Sequence, residues 1–375
     1  MATLSTVKSN RQLYLDVARC IAIISITFNH AVNRSFDNYG NQMAEFLSIP
    51  IASSVLKAVI TVFSRIGVPL FLMISGALIL TKTIENAADI KRFYKKNLLS
   101  LLITTEIWYV LFFWFIVLVL PQNQVLETQG FGGALWGMVQ TMLFQNQLTF
   151  DSMWYMPMIL CLYTTIPFVI IVINKLRPSY GVMLLPAGIV AVNNIILPAI
   201  NAFLQMQGQP TFSSVLQEAH LVSILYLYIL GGYFISQGAL AKLKDWLVAV
   251  IAGGSFLLCC GYQLYCYAQP MNYLVKDVFP LIYVSAGFLF ELLRRKAHHF
   301  SKLSRPVTYL SRISFGIYFM HIIVLNLLTT FMDFSAWSQP LKMLFLEVAT
   351  VGGSILIIAP LSKIKVLRKY LFLIK

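Results

Sequence analysis

Ten windows of this chain are apolar almost throughout and long enough for a helix to cross a bilayer. They fall near residues 13–32, 59–80, 97–120, 154–174, 180–200, 218–236, 246–267, 276–293, 309–330 and 342–362. A hydrocarbon core needs roughly 20 apolar residues per helix, and lipid offers the backbone no hydrogen-bond partner outside the element itself. A β-barrel would alternate polar and apolar residues over short strands, and these windows do not alternate. The expected fold is therefore all-α, a polytopic helical membrane protein of about ten transmembrane helices. Composition agrees, since only 11% of the residues are charged, against about a quarter in soluble domains. No soluble domain, low-complexity segment or internal repeat stands out, so residues 1–375 read as a single transmembrane domain.

The net charge of +14 raises the question of nucleic acid, and the distribution of the charge answers it. With the windows alternating across the bilayer, 21 of the 28 Lys and Arg residues fall on one side, among them Lys8, Arg11, Lys91, Arg92, Arg294 to Lys296 and Lys363 to Lys369. Arg34, Lys57, Lys276 and Lys342 fall on the other, while Arg19, Arg65 and Arg312 lie within windows. This asymmetry follows the positive-inside rule. It predicts both termini in the cytoplasm, explains the charge as topology and gives no reason to expect a nucleic-acid partner. The first window carries Asp16 and Arg19 and lacks a small-residue cleavage site, so no cleavable signal peptide is expected. Cys20, Cys161, Cys259, Cys260 and Cys266 lie in or beside windows without metal-ligand spacing, so neither a metal site nor a disulfide framework is expected.

Loops carry less information. Outer segments 33–58, 121–153 and 201–217 exceed a tight turn, and "FGGALWGMVQTMLFQ" in the second suits an interfacial helix. The inner segment 81–96 ends in Lys91, Arg92, Lys95 and Lys96. Such a cluster suits anionic lipid headgroups and the phosphates of a cytosolic ligand equally.

The first window is the exception to its own class. "YLDVARCIAIISITFNHAV" is apolar, yet it holds Asp16, Arg19 and His30. An arginine at the centre of a bilayer helix costs roughly 2.5–3.5 kcal/mol on insertion scales. Eleven positions on a helix make about three turns, so Arg19 and His30 share a direction roughly 16 Å apart along the axis. Asp16 stands at the i,i+3 spacing of an ion pair with Arg19. Interfacial anchoring explains each residue singly; a polar stripe facing an interior cavity explains them together. An imidazole in apolar surroundings stays neutral unless a carboxylate is near, which suits it to accept a proton. Other windows add Arg65, Ser75, Glu106, Trp154 with Tyr155, Tyr318 and His321. A proton-coupled transporter or flippase would use the same residues along a substrate path. A glycan polymerase would have Arg-rich outer loops, and 121–153 contains no Lys or Arg.

Motifs separate these alternatives. "YLDVARCIAIISITFNH", with arginine and histidine eleven apart, resembles the first block of the acyltransferase-3 family of integral membrane acyltransferases. "SRIGVPLFLMISGALIL", "RFYKKNLLSLL", "MWYMPMILCLYTTIP" and "ISFGIYFMHIIVL" resemble its later blocks, in order, over residues 14–325. Cys20 departs from the glycine usual after the arginine, and Met153 from the usual leucine. The resemblance implies a single transmembrane acyltransferase domain in the bacterial inner (cytoplasmic) membrane. It also implies acyl-CoA, usually acetyl-CoA, as a donor substrate with no bound cofactor. The implied acceptor is a hydroxyl of a glycan or lipid-linked glycan, as in O-antigen or enterobacterial common antigen. Without an added esterase-like domain, the chain resembles the stand-alone type. On this basis His30 is expected as general base, and Arg19, held by Asp16, as its catalytic partner. Arg65, Arg92, Lys95 and Lys96 are expected to bind acyl-CoA. Ser75, Glu106, Trp154, Tyr155, Tyr318 and His321 are expected to line the acceptor site or channel.

Overall fold

The computed structural model of the protein describes residues 12–120, 124–145, 151–176, 188, 191–192, 196–212, 225–270 and 273–374. Among the described residues every regular element is helical. In chain order these are α1 (Leu13–Ser35), α2 (Gln42–Ser48), α3 (Ile51–Ser64), α4 (Gly67–Ile79), α5 (Ala87–Phe93), α6 (Leu99–Val119) and α7 (Val125–Met142). There follow α8 (Tyr155–Leu176), α9 (Leu197–Met206), α10 (Leu225–Ser236), α11 (Asp245–Tyr267), α12 (Pro280–Lys296), α13 (Ser304–Phe331), α14 (Gln339–Leu361) and α15 (Lys365–Tyr370).

Among the described residues seven runs are long and apolar enough to cross a membrane: Leu13–Ser35, Ile51–Ile79, Ala87–Val119, Tyr155–Leu176, Asp245–Tyr267, Pro280–Phe331 and Gln339–Leu361. Two expected windows fall inside Pro280–Phe331, where the 3-10 turn Ala297–Leu303 separates α12 from α13. Most of window 180–200, and residues 218–224 of the next, lie outside the described residues; the remainder of the latter is the short apolar α10. The window expected at 59–80 is longer than its hydropathy suggests, because helix begins just after Pro50. Ser54, Lys57 and Ala58 form the buried face of that added length, so part of a presumed connector is core. In the segment 121–153, α7 does form, with a break at Gly130 (φ 66°).

The bundle is organised around α1, which packs against α3, α4, α12, α13 and α14. Of its apolar window 67% is buried, against 28% for α14, so α1 is an interior helix and its polar residues meet protein rather than lipid. Small residues set the closest approaches. At Gly76 of α4 and Gly232 of α10 an added Cβ would overlap the facing backbone, so these helices touch main chain to main chain. Elsewhere buried ion pairs tie connectors to the bundle. Lys57 Nζ lies 2.6 Å from Glu45 Oε2 and 3.0 Å from Asp37 O, which pins the 36–50 connector onto α3. Glu291 of α12 accepts from Arg294 and Arg295, and Arg295 also donates to Leu240 O and Leu243 O ahead of α11.

Candidate functional site

Asp16 faces α13. Ser311 Oγ donates to its Oδ1 at 2.6 Å, Thr308 Oγ1 lies 3.5 Å from Oδ2, and Arg19 Nη1 lies 3.5 Å from Oδ1. A buried carboxylate is tolerated only with such partners, and here they also lock α1 to α13. The next residue, Cys20, donates through Sγ to Val307 O at 3.3 Å, so the thiol that departs from the expected glycine joins the same seam.

Arg19 lines a cavity of about 480 Å³ together with Ser75 of α4, Tyr155 and Tyr163 of α8, and Arg312 and Tyr318 of α13. Ser75 Oγ donates to Phe71 O at 3.0 Å. His30 lines a second, smaller cavity of about 70 Å³, with Asn29, Arg65, Trp154 and Asp277 around it. Tyr155 and Tyr318 belong to both walls, their ring centres 5.7 Å apart. Arg19 and His30 therefore open into two adjoining chambers with a tyrosine partition between them, where the stripe on α1 suggested one continuous passage.

His321 lines neither chamber. It is fully buried one turn beyond Tyr318, with its ring centre 5.2 Å from that of His30. Its Nδ1 lies 2.9 Å from Ile317 O. A carbonyl oxygen only accepts, so Nδ1 carries the proton, and Nε2 has no partner among the described residues. Arg65, expected with the acyl-CoA residues, stands instead in the His30 chamber at the junction of α3 and α4. Its Nε is buried and has no hydrogen-bond partner among the described residues. Asp277, in the connector before α12, shares that chamber; burial pushes its carboxyl above the usual aspartate range, and the Arg65 guanidinium opposes the shift. Tyr228 donates to the Asp277 carbonyl, which fixes the connector.

The basic turn lines neither chamber. Arg92 is exposed and 3.5 Å from Asp89, and Lys95 and Lys96 project from the π-helical turn Tyr94–Leu98. Phe93 nonetheless packs on Tyr163, ring centres 6.1 Å apart, and Tyr94 donates to Thr164 O, so this turn abuts the wall of the Arg19 cavity. Glu106 also lines neither chamber. It lies on the α6 face with Oε2 buried and unpartnered among the described residues. Sequence reasoning gave no role to Tyr163, Arg312, Asp277 or Glu347. Tyr163 follows Tyr155 by eight positions, and that helical spacing was a usable signal. The Glu347 carboxylate, 2.6 Å from Thr27 Oγ1 on α1, had none beyond being charged within a window. Among the described residues no group of three or more His, Cys, Asp or Glu is placed to hold a metal ion.

Fold and site together define a helical integral membrane protein with ionisable side chains facing interior chambers. The chain belongs to the acyltransferase-3 family, whose model, described as an acyltransferase domain, matches residues 12–359. Its general activity is thus acyl transfer at a membrane. No curated protein and no solved structure gives a significant match.

Proposed function

We propose that this protein is an O-acyltransferase of the bacterial inner membrane that moves an acyl group, acetyl foremost, from cytosolic acyl-CoA to a hydroxyl of a surface polysaccharide or its lipid-linked precursor. The observation that carries this reading is the pair of chambers meeting at Tyr155 and Tyr318, with a guanidinium in one and an imidazole in the other. Acyl-CoA enters the Arg19 chamber with its phosphates held by Arg92, Lys95 and Lys96 at the mouth. The acceptor occupies the His30 chamber, against Trp154 and Arg65.

His30 takes the proton of the acceptor hydroxyl as that oxygen attacks the thioester carbonyl. The C–S bond breaks, the acyl group passes to oxygen, and the sulfur leaves as CoA thiolate, which is then protonated. General-base assistance of this kind contributes typically about 10²–10⁴-fold. Arg65, which shares the His30 chamber, stabilises the charge that develops on the carbonyl oxygen, and Arg19, held by Asp16, orients the donor in the adjoining chamber. His321 keeps His30 in one orientation.

The test is incubation of purified protein in lipid nanodiscs with radiolabelled acetyl-CoA and a glycan or lipid-linked glycan acceptor. Label appears in the acceptor and free CoA accumulates. Uptake of substrate into proteoliposomes with indifference to acetyl-CoA would overturn the reading in favour of transport.

A further inference from the structure

Residues 371–374 lie beyond the span matched by the family model, yet Phe372, Leu373 and Ile374 build one side of the Arg19 cavity. After α15 the chain folds back into the bundle. Trp108 Nε1 of α6 donates to Leu371 O at 2.9 Å, and Ile374 N donates to Arg368 O at 3.0 Å. Phe372 is 1% exposed, its ring 6.5 Å from that of Trp108. It is seated over Gly316 of α13, where an added Cβ would come within 2.9 Å of the Phe372 ring. Leu373 has φ 47°, a left-handed conformation that leucine adopts only where its surroundings fix it. An apolar segment of this kind would otherwise lie on the bilayer. Here a hydrogen bond, a glycine seat and a left-handed residue turn it inward.

The cavity consequently has unlike sides. Arg19, Arg312, Ser75 and Tyr163 make one polar, whereas Phe372, Leu373 and Ile374 make another apolar and bulky. Its volume of about 480 Å³ falls within the 300–1,000 Å³ usual for small-molecule sites. An acyl group longer than acetyl is blocked ahead by Tyr155 and Tyr318, and the arginine side disfavours it. Its apolar neighbours are Ile74, Leu78 and Ile79 of α4, Met156 and Ile159 of α8, all held within membrane-spanning helices, and the non-helical residues Phe372 to Ile374.

We propose that Phe372, Leu373 and Ile374 form the wall that limits the size of the acyl group this cavity accepts. The proposal rests on the acyl-CoA reading above. Its test compares acetyl-CoA with butyryl-CoA as donors for the full chain and for the Leu373→Ala/Ile374→Ala double variant in nanodiscs. The ratio of butyryl to acetyl transfer rises about tenfold in the variant, the discrimination that small changes of an apolar pocket produce; an unchanged ratio overturns the proposal. A second measurement does not depend on the donor. In a Ser75→Cys background, maleimide labelling at position 75, located by peptide mass spectrometry, becomes faster when Leu373→Ala/Ile374→Ala is added. Equal labelling rates overturn the wall itself. If the full chain consumes no acyl-CoA, the donor reading fails and the labelling rates alone decide whether this segment closes the cavity.

Discussion

His30 of α1 and His321 of α13 bring their ring centres to 5.2 Å, tilted by 48°, in the interior of the bundle. His321 spends its Nδ1–H on Ile317 O, which leaves Nε2 as a bare acceptor among the described residues. An N–H of His30 directed at that acceptor would turn its other nitrogen towards the chamber it lines. The two imidazoles are thus unequal: one faces the chamber, the other is set behind it.

The inequality predicts unequal losses. His30→Ala lowers acyl transfer by about 10²–10⁴-fold, whereas His321→Gln, which keeps a polar group behind His30, lowers it less. Turnover in membranes of matched protein content checks this. Full activity in a well-expressed His30→Ala variant removes the base assignment.

Arg19 depends on a partner that itself depends on α13. Ser311→Ala removes the 2.6 Å hydrogen bond to Asp16, and a bond to a charged group contributes about 1.5–3 kcal/mol. The expected outcome is a lower melting temperature together with a higher KM for the acyl donor. An unchanged KM would separate the Asp16 anchor from donor binding.

Lys57 and Glu45 are both almost wholly buried, 2.6 Å apart. Lys57→Met leaves the buried Glu45 carboxylate without its cation, with only Asp37 N and Gln339 Nε2 still donating to Oε1, and destabilises the fold by about 3–5 kcal/mol; the further change Glu45→Leu removes the uncompensated charge and restores part of the loss. Thermal melts of the single and double variants provide the comparison. A double variant as unstable as the single one would contradict the account.

Gly76 and Gly232 permit main-chain contact between α4 and α10. Gly76→Val forces the helices apart, and overpacking of this kind costs about 1–3 kcal/mol. Since α4 also carries Ser75, the same variant loses transfer activity in proportion to how far the Arg19 cavity is distorted. Melting temperature and turnover together show the effect.

Asp277 gives a pH dependence. Its folded carboxyl keeps its proton to a higher pH than the ordinary aspartate value of 3.8, because burial outweighs the Arg65 charge. The unfolded chain therefore ionises first, and the contribution of this group to stability falls as pH rises from 3.8 through the folded value. Asp277→Asn abolishes that fall. Melting curves of the two proteins across this range should diverge in favour of the variant as pH increases; parallel curves would exclude the effect.

Local hydropathy by itself determined that this chain is a helical membrane protein. A helix satisfies its own backbone in lipid, so the decision to span is made within each window and needs no distant residue. The windows around α1, α6, α8, α11 and α14 were legible for that reason, and so was the common face of Arg19 and His30, fixed by helical geometry within one element. Pairings between helices were not. That Asp16 answers to Ser311, that Arg65 stands beside His30, that Glu106 lines neither chamber and that His321 lies behind His30 all depend on the rotation and depth of one helix against another. Those are set by packing among side chains far apart in the chain. Tertiary structure alone also brought residues 371–374 back to wall the cavity, since an exposed apolar tail and an inserted one have the same sequence.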